Sequence, residues 1–324
     1  MGINKKISLI DGSGFIFRAY YALPPLTSKN GTPIGAVLGF CNMLLKLLEE
    51  KKSDKVIVIF DTAKKTFRND IFKEYKANRG EPPEDLIPQF AIIREAVDAF
   101  NITRVELAGY EADDLIATYA KFFDKKKWNV EIVSSDKDLM QLVNKNIIMR
   151  DPIKNKSIGE EEVFNKFGVY PEKVIDVQSL AGDNVDNIPG APGIGIKTAA
   201  ALVNEFGSLE NILKNYKKIK QNKRRESIEN NLDNILVSKK LVTLKSDIDS
   251  QIVLEKISNT SFNFNTLSKF FQKYGFNNLE AKIAEAQNKF IEKDKNILIK
   301  NSYKTITNQE DLTNITNIIK EIGF

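Results

Sequence analysis

Acidic residues recur in this sequence just beyond short apolar runs. Asp11 follows 7–10, Asp61 follows 56–60, and Asp136 and Asp138 follow 130–133 across two serines. A fourth run, 104–107, leads through Gly109 into Glu111, Asp113 and Asp114, and a further pair, Asp183 and Asp186, lies in a Gly- and Pro-rich stretch over 182–197. An Asp after a strand commonly caps the next helix, and acids suit a helix's first turn. That explains any one of them. It explains the set less well, because close like charges repel by about 4 kcal/mol per pair at an effective dielectric near 20 unless cations lie among them. Adjacent Asp113 and Asp114 are especially hard to explain as caps. An oxygen-only set suits hard ions such as Mg²⁺ or Mn²⁺. Two such ions about 3.5–4 Å apart activate water and steady the leaving oxygen of an in-line displacement at phosphorus. The substrate class is then a phosphodiester.

Composition removes the competing chemistries. The 324 residues contain no His and one Cys, Cys41, so Ser-His-Asp and Cys-His machinery, four-thiolate zinc sites and internal disulfides are all excluded. Lys and Arg number 48 against 43 Asp and Glu, a net +5 that does not by itself indicate nucleic acid. The 42% hydrophobic content supports real cores. With no secretory h-region and no apolar stretch of 18 residues, a cytoplasmic address and no membrane partner are expected.

Positioning the acids requires a parallel sheet. The four apolar runs are short and β-branched and alternate with helical segments, the pattern of an α/β fold with a parallel-type central sheet flanked by helices. Ile34, Val37, Leu38, Cys41, Leu45 and Leu48 fall on one helical face, as do Leu86, Phe90, Ile93, Val97 and Phe100. Cys41 on such a stripe is a packed thiol. The carboxyl ends of parallel strands share one edge, where open α/β sheets place their sites. From about Tyr170 helical segments take over, so a second, mainly helical domain is expected, with Leu267, Phe270, Phe271 and Tyr274 forming a short helix that stops at Gly275. Tyr303 to Phe324 offers one strand and one helix, too little to bury a core.

Two elements are built for phosphate. Lys64, Lys65, Phe67, Arg68, Phe72, Lys73, Tyr75, Lys76 and Arg79 interleave cations with rings, the two parts of a single-strand site, or equally an amphipathic helix with its aromatics turned inward. Arg18 is a further candidate for gripping phosphate. Gly190, Gly193 and Gly195 precede a helix expected near Thr198, with Lys197 beside it. The spacing fits neither a P-loop nor a dinucleotide fingerprint. It fits a hairpin that holds a duplex by its backbone without reading sequence. The run from Lys217 to Arg225 is more consistent with a solvated loop.

Ile-Asp-Gly-Ser at 10–13, Phe-Asp at 60–61, Tyr-Lys-Ala-Asn-Arg at 75–79, Glu-Ala-Asp-Asp at 111–114, Ser-Asp-Lys-Asp at 135–138, Gly-Asp-Asn-Val-Asp-Asn-Ile-Pro-Gly at 182–190 and Gly-Ile-Gly-Ile-Lys-Thr-Ala at 193–199 together resemble the 5′-nuclease domain of bacterial DNA polymerase I, over about residues 1–290. The resemblance implies a PIN-like nuclease domain over 1–169 with a helical arch near 62–90. It implies a helical DNA-binding domain over 170–289 with a helix-hairpin-helix clamp at 188–198, then a linker and the start of a 3′-5′ exonuclease-like domain over 290–324. It implies metal binding by Asp11, Asp61, Glu111, Asp113, Asp114, Asp136, Asp138, Asp183 and Asp186, and catalytic roles for Lys76 and Arg79. DNA contacts would come from Arg18, Arg68, Tyr75, Lys76, Arg79, Gly190, Gly193, Gly195, Lys197 and Thr198, with K⁺ at the hairpin. The implied substrates are 5′ flaps, nicks and RNA-DNA primer ends, cut by a nucleoid-associated monomer whose polymerase domain lies in the same longer chain. A non-catalytic junction-binding module is the competing class, but its surplus carboxylates would weaken DNA binding. A toxin-like ribonuclease would not need the glycine hairpin.

Overall fold

The computed structural model describes residues 5–50, 53–62, 65–152, 154–249, 257 and 263–287, with isolated positions at 309, 312, 313 and 316. Strands β1 (Lys6–Asp11), β2 (Lys55–Ile59), β3 (Thr103–Val105), β4 (Asn129–Val133), β5 (Ile147–Asp151) and β6 (Lys156–Ile158) form one sheet in the order β3-β2-β1-β4-β5-β6. All pairings are parallel except β5 with β6. Buried on both faces, the inner strands are mostly Val, Ile and Leu, and the two polar residues that interrupt them, Ser8 of β1 and Glu131 of β4, are buried and bonded to each other. Two strands escape the sequence reading. Arg150 breaks the apolar run of β5, and β6 is a three-residue antiparallel edge.

Between the strands lie α1 (Gly12–Ala22), α2 (Gly35–Glu49), α3 (Phe67–Ile71), α4 (Ile87–Ala99) and α5 (Ala112–Lys125). α2 buries Val37, Cys41, Leu45 and Leu48 and packs mainly against α1 and α4, and α4 buries Ile93 and Val97. Burial alone pushes the Cys41 thiol above its ordinary range, so it is a packing residue. Chain order matters here: β1, β2 and β3 run outward one way, then the chain returns to place β4 on the other side of β1. The crevice at the carboxyl ends of β1 and β4 is the topological switch point, where open α/β sheets bind ligands.

The segment expected to be a helical arch is not one continuous helix. α3 has five residues, turns occupy 73–78 and 84–86, and α4 begins only at Ile87. Gly80, Pro82 and Pro83 explain the break, since proline removes a donor and clashes with the preceding turn. Lys64 lies outside the described residues. The aromatics turn inward, with Tyr75 buried and Phe67 and Phe72 half-buried.

After α6 (Glu160–Phe167) the chain is helical: α7 (Val174–Ala181), α8 (Ile196–Phe206), α9 (Leu209–Asn215), α10 (Asn222–Asn230), α11 (Leu232–Val242) and α12 (Phe264–Tyr274). α12 ends at Gly275 in the left-handed region, φ 76°, as its sequence predicts. Met1 to Phe276 cluster as one compact unit, and a second unit begins at Asn277, with 277–287 helical. Of the strand and helix expected after Tyr303, only positions 309, 312, 313 and 316 are described, and these are helical. Among the described residues no helix is long and apolar enough to cross a membrane.

Candidate active site

The parallel register puts Asp11 at the end of β1, level with Ile59 of β2, while Ile10 pairs with Val133 of β4. Asp61 and Asp136 therefore emerge beside Asp11 at one edge. Asp11, Asp61, Glu111, Asp113, Asp136, Asp138 and Asp186 line a single cavity there, with Tyr75, Lys76 and Arg79 on its other wall.

Several of these acids also cap helices. Asp11 caps α1, one oxygen accepting the Gly14 N–H (2.7 Å) and the other the Ser134 hydroxyl (2.8 Å). Asp61 accepts the Ala112 N–H at the start of α5 (2.7 Å), and the Ser13 hydroxyl accepts the Asp61 N–H (2.9 Å). Asp136 accepts the Asp138 N–H (2.8 Å), and Asp138 accepts from Gln178 Nε2 (2.5 Å). The capping interpretation is thus correct for part of the set, yet these bonds leave the carboxylates with an electrostatic conflict. Burial, then the charges of Asp61 and Asp136, raises Asp11 to about 6. Burial and Asp136 raise Asp138 to about 7. Asp113 is raised well above the ordinary range by lost hydration and by Asp136, Asp11 and Asp61. Three carboxyls raised together above the ordinary range mark a shortage of positive charge around them.

The protein's own cations meet part of that demand. Lys76 Nζ lies 3.0 Å from Glu111 and 3.8 Å from Asp186, and Arg79 pairs with Asp186. Burial would lower Lys76, but Glu111, Tyr75 and Asp186 together outweigh it and hold the ammonium charged. Tyr75 donates its hydroxyl to Glu111 (3.1 Å). Lys76 has φ 55° and its N–H reaches the Asp186 carbonyl (2.9 Å), so the 74–79 segment is tied to the 183–188 loop. Asn78 Nδ2 to Asn184 O (2.8 Å) and Asn187 Nδ2 to Glu74 O (2.7 Å) complete the tie. Among the described residues no three acids stand drawn together as ready metal ligands. Mutual repulsion and these lysine and arginine pairs account for the spacing, and the oxygen-only donor set with unmet positive demand fits a hard divalent cation.

Asp114, Arg68 and Gly190 take structural roles, and Arg18 stands apart from the cavity. Asp114 is fully buried and its oxygens take Arg68 Nη1 (2.6 Å) and Nη2 (2.8 Å), so it is an ion-pair partner rather than a cavity-facing ligand. Arg68, 1% exposed, stands in the cavity wall with its guanidinium held by Asp114, by the Leu241 carbonyl (2.8 Å) and by Glu111 (3.5 Å), so its charge is already paired within the protein. Gly190 is buried with φ 55° against Gly182, and its N–H goes to Ser238 Oγ (2.9 Å), so it shapes the hairpin instead of facing phosphate. Arg18 is half-buried on α1, outside the residues that line the cavity, with Nη1 unpartnered.

Asp183 sits behind the cavity. Burial raises its carboxyl, but Lys137 and two backbone N–H groups outweigh that and hold it below the ordinary range. Lys137 is a residue sequence reasoning missed, although its place between Asp136 and Asp138 was a visible signal. Gln178 and Ser134 carried none. The hairpin joins α7 to α8, which starts at Ile196, two residues earlier than expected. Gly193, Gly195 and Lys197 are exposed, Thr198 is half-buried, and no side-chain oxygen caps α8.

Comparison with known proteins gives a consistent result. Residues 6–168 match the family described as 5′-3′ exonuclease, N-terminal resolvase-like domain, and 169–265 match its C-terminal SAM fold. The chain is 51% identical over 286 residues to DNA polymerase I of Rhizobium leguminosarum, covering 86% of this chain but 28% of that protein. It is 39% identical over 269 residues to the 5′-3′ exonuclease of Aquifex aeolicus, covering 83% of this chain and 92% of that one. Among solved structures, the bacteriophage T5 flap endonuclease in a pseudo-enzyme-product complex with DNA and metal ions superposes with a TM-score of 0.63 at 20% identity, covering 83% of this chain and 98% of that one. The catalytic core of Rad2 with a DNA substrate gives 0.55 at 17%, covering 84% and 87%. At those identities the likeness is one of fold.

Proposed function

The chain belongs to the 5′-3′ exonuclease family, and from that premise we propose that it hydrolyses phosphodiester bonds at 5′ ends and 5′ flaps of duplex DNA, including RNA primer ends and nicks. The observation that carries this is the gathering of seven carboxylates on one cavity at the switch point, in a chain without His. Asp11, Asp61, Glu111, Asp113, Asp136, Asp138 and Asp186 would hold Mg²⁺ or Mn²⁺, with Asp183 joining once Lys137 releases it. Divalent ions held there would lower the pKa of water and neutralise charge developing at phosphorus. Lys76 and Arg79 neutralise the scissile phosphate, and Tyr75 holds Glu111 in place. Gly193, Gly195, Lys197 and Thr198 grip the duplex backbone, with a K⁺ ion at the hairpin. The division into 1–169, 170–289 and 290–324 belongs to the same reading, as does a polymerase domain in a longer chain, a monomeric state and a place at the nucleoid.

A labelled 5′-flap duplex tests it. Cleavage near the junction is expected with Mg²⁺ and none with EDTA, and equal binding without cleavage in both would point to a junction-binding module. Lys76→Ala and Arg79→Ala should lower single-turnover cleavage by about 10²-fold or more while duplex affinity hardly changes, because their charge acts at the reacting phosphate. An equal loss of plain duplex binding with unchanged rates would refute the assignment.

A further inference from the structure

We propose that α11 sets where the cut falls along the DNA, by joining the base of the glycine hairpin to the wall of the acidic cavity through Ser238 and Arg68. The inference rests on the reading above, in which the hairpin holds duplex and the cavity cuts. Ser238, in the middle of α11, is fully buried; its Oγ accepts the Gly190 N–H (2.9 Å) and donates to Asn234 O (2.7 Å). Three residues on, Leu241 O accepts Arg68 Nε (2.8 Å). Residues i and i+3 lie on one helical face about 4.5 Å apart along the axis. One rigid turn of helix therefore separates the hairpin's anchor from the arginine.

Arg68 carries the connection onward. Both its terminal nitrogens end on Asp114, whose oxygens also take the backbone N–H of Lys245 (2.9 Å) and of Glu111 (3.2 Å). Glu111 faces the cavity and holds Tyr75 and Lys76. Gln141 fastens the end of α11 a second time, donating to Val242 O (3.0 Å) and accepting the Leu244 N–H (3.2 Å). The chain of contacts runs from hairpin to carboxylates through buried, partnered groups, and close-packed interiors shift between discrete arrangements rather than stretching. A strand step in DNA is about 3.4 Å, so slack of that size between clamp and cavity moves the scissile bond by about one nucleotide. Arg68 and Ser238 are thus positioning residues that fix the cutting register.

Product lengths from an end-labelled 5′ flap, resolved at single-nucleotide spacing, are the readout, with melting temperature and flap affinity measured beside them. Ser238→Ala removes the hairpin anchor with the least change of volume. Arg68→Lys loses the two-pronged grip on Asp114. The pair Arg68→Met with Asp114→Leu replaces the ion pair by apolar side chains, so that neither charge is left buried alone, and its melting temperature reads the cost of the Glu111 and Lys245 N–H groups and the Leu241 carbonyl losing these partners. The expected result is one dominant product giving way to two or more neighbouring lengths while flap affinity stays near wild type. Product lengths identical to wild type in Ser238→Ala and in the Arg68/Asp114 pair would overturn the strut, whatever the change in melting temperature, because a purely structural role moves stability and not register. Absence of any flap cleavage by the wild-type protein would overturn the nuclease reading itself and the strut with it.

Discussion

Asp113→Asn is expected to lower single-turnover cleavage of a 5′ flap by about 10³-fold or more, the scale of losing one preorganised charge-stabilising group, while leaving flap binding near wild type. Binding is carried mainly by Lys and Arg against phosphate, which the substitution does not touch. The same change should make the metal-free protein more stable at pH 8. A carboxyl whose folded value is raised binds protons more tightly folded than unfolded, so its contribution is lost as pH rises from the unfolded value through the folded one. For this cluster the window runs from the ordinary 3.8 through about 6 at Asp11 and about 7 at Asp138. Wild-type protein in EDTA should therefore melt lower at pH 8 than at pH 5, and Asp113→Asn should recover part of the difference by removing one member of the repelling set. Mg²⁺ should raise the melting temperature of the wild type far more than that of the variant. Wild-type turnover in Mg²⁺, or a lower melting temperature for the variant at pH 8 in EDTA, would remove Asp113 from the metal set.

The contrast between Asp113 and Asp114 also shows how far sequence carries and where it stops. The strands were legible because a parallel strand buried on both faces is mostly apolar, and the acids were legible because they follow those strands. Which of two adjacent acids faces the cavity was not. Successive residues in a helix are about 100° apart, so α5 presents Asp113 to the cavity and Asp114 to Arg68. Only the partner's position decides that, and Arg68 comes from a segment 46 residues earlier. Arg68 read as a phosphate ligand for the same reason: its neighbours in sequence are cations and rings, but its polar partners in space are the carboxylates of Asp114 and Glu111 and two helix-end carbonyls. Ser238 and Gln178 gave no local signal, since their roles exist only once α11 and α7 are packed. Lys137 could have been found, being the one cation inside the Asp136–Asp138 step.

The three glycines of the hairpin are expected to fail in three different ways. Gly190 has φ 55°, and a Cβ there would overlap the Gly182 backbone, which itself sits at φ 65° with Ile188 O only 2.5 Å from where its own Cβ would lie. Neither side of that contact is a movable side chain. Gly190→Ala should therefore cost about 3–5 kcal/mol, combining left-handed strain with backbone overpacking. Gly193 has φ 79° but open space around the added methyl, so Gly193→Ala should cost only about 1 kcal/mol of backbone strain. Gly195 has a negative φ of −85° and open space, and Gly195→Ala should leave stability unchanged or slightly improved by restricting the unfolded chain. Any bulk at Gly193 or Gly195 would still stand between the exposed N–H groups at the start of α8 and a phosphate, so larger residues there should weaken duplex binding independently of base sequence and flatten its salt dependence. Urea unfolding separates the first effect from the last two, and duplex binding across a salt series detects the rest. Gly190→Ala with wild-type unfolding, or Gly195→Val with wild-type duplex affinity and salt slope, would show that the hairpin's glycines are not divided between holding its shape and approaching DNA.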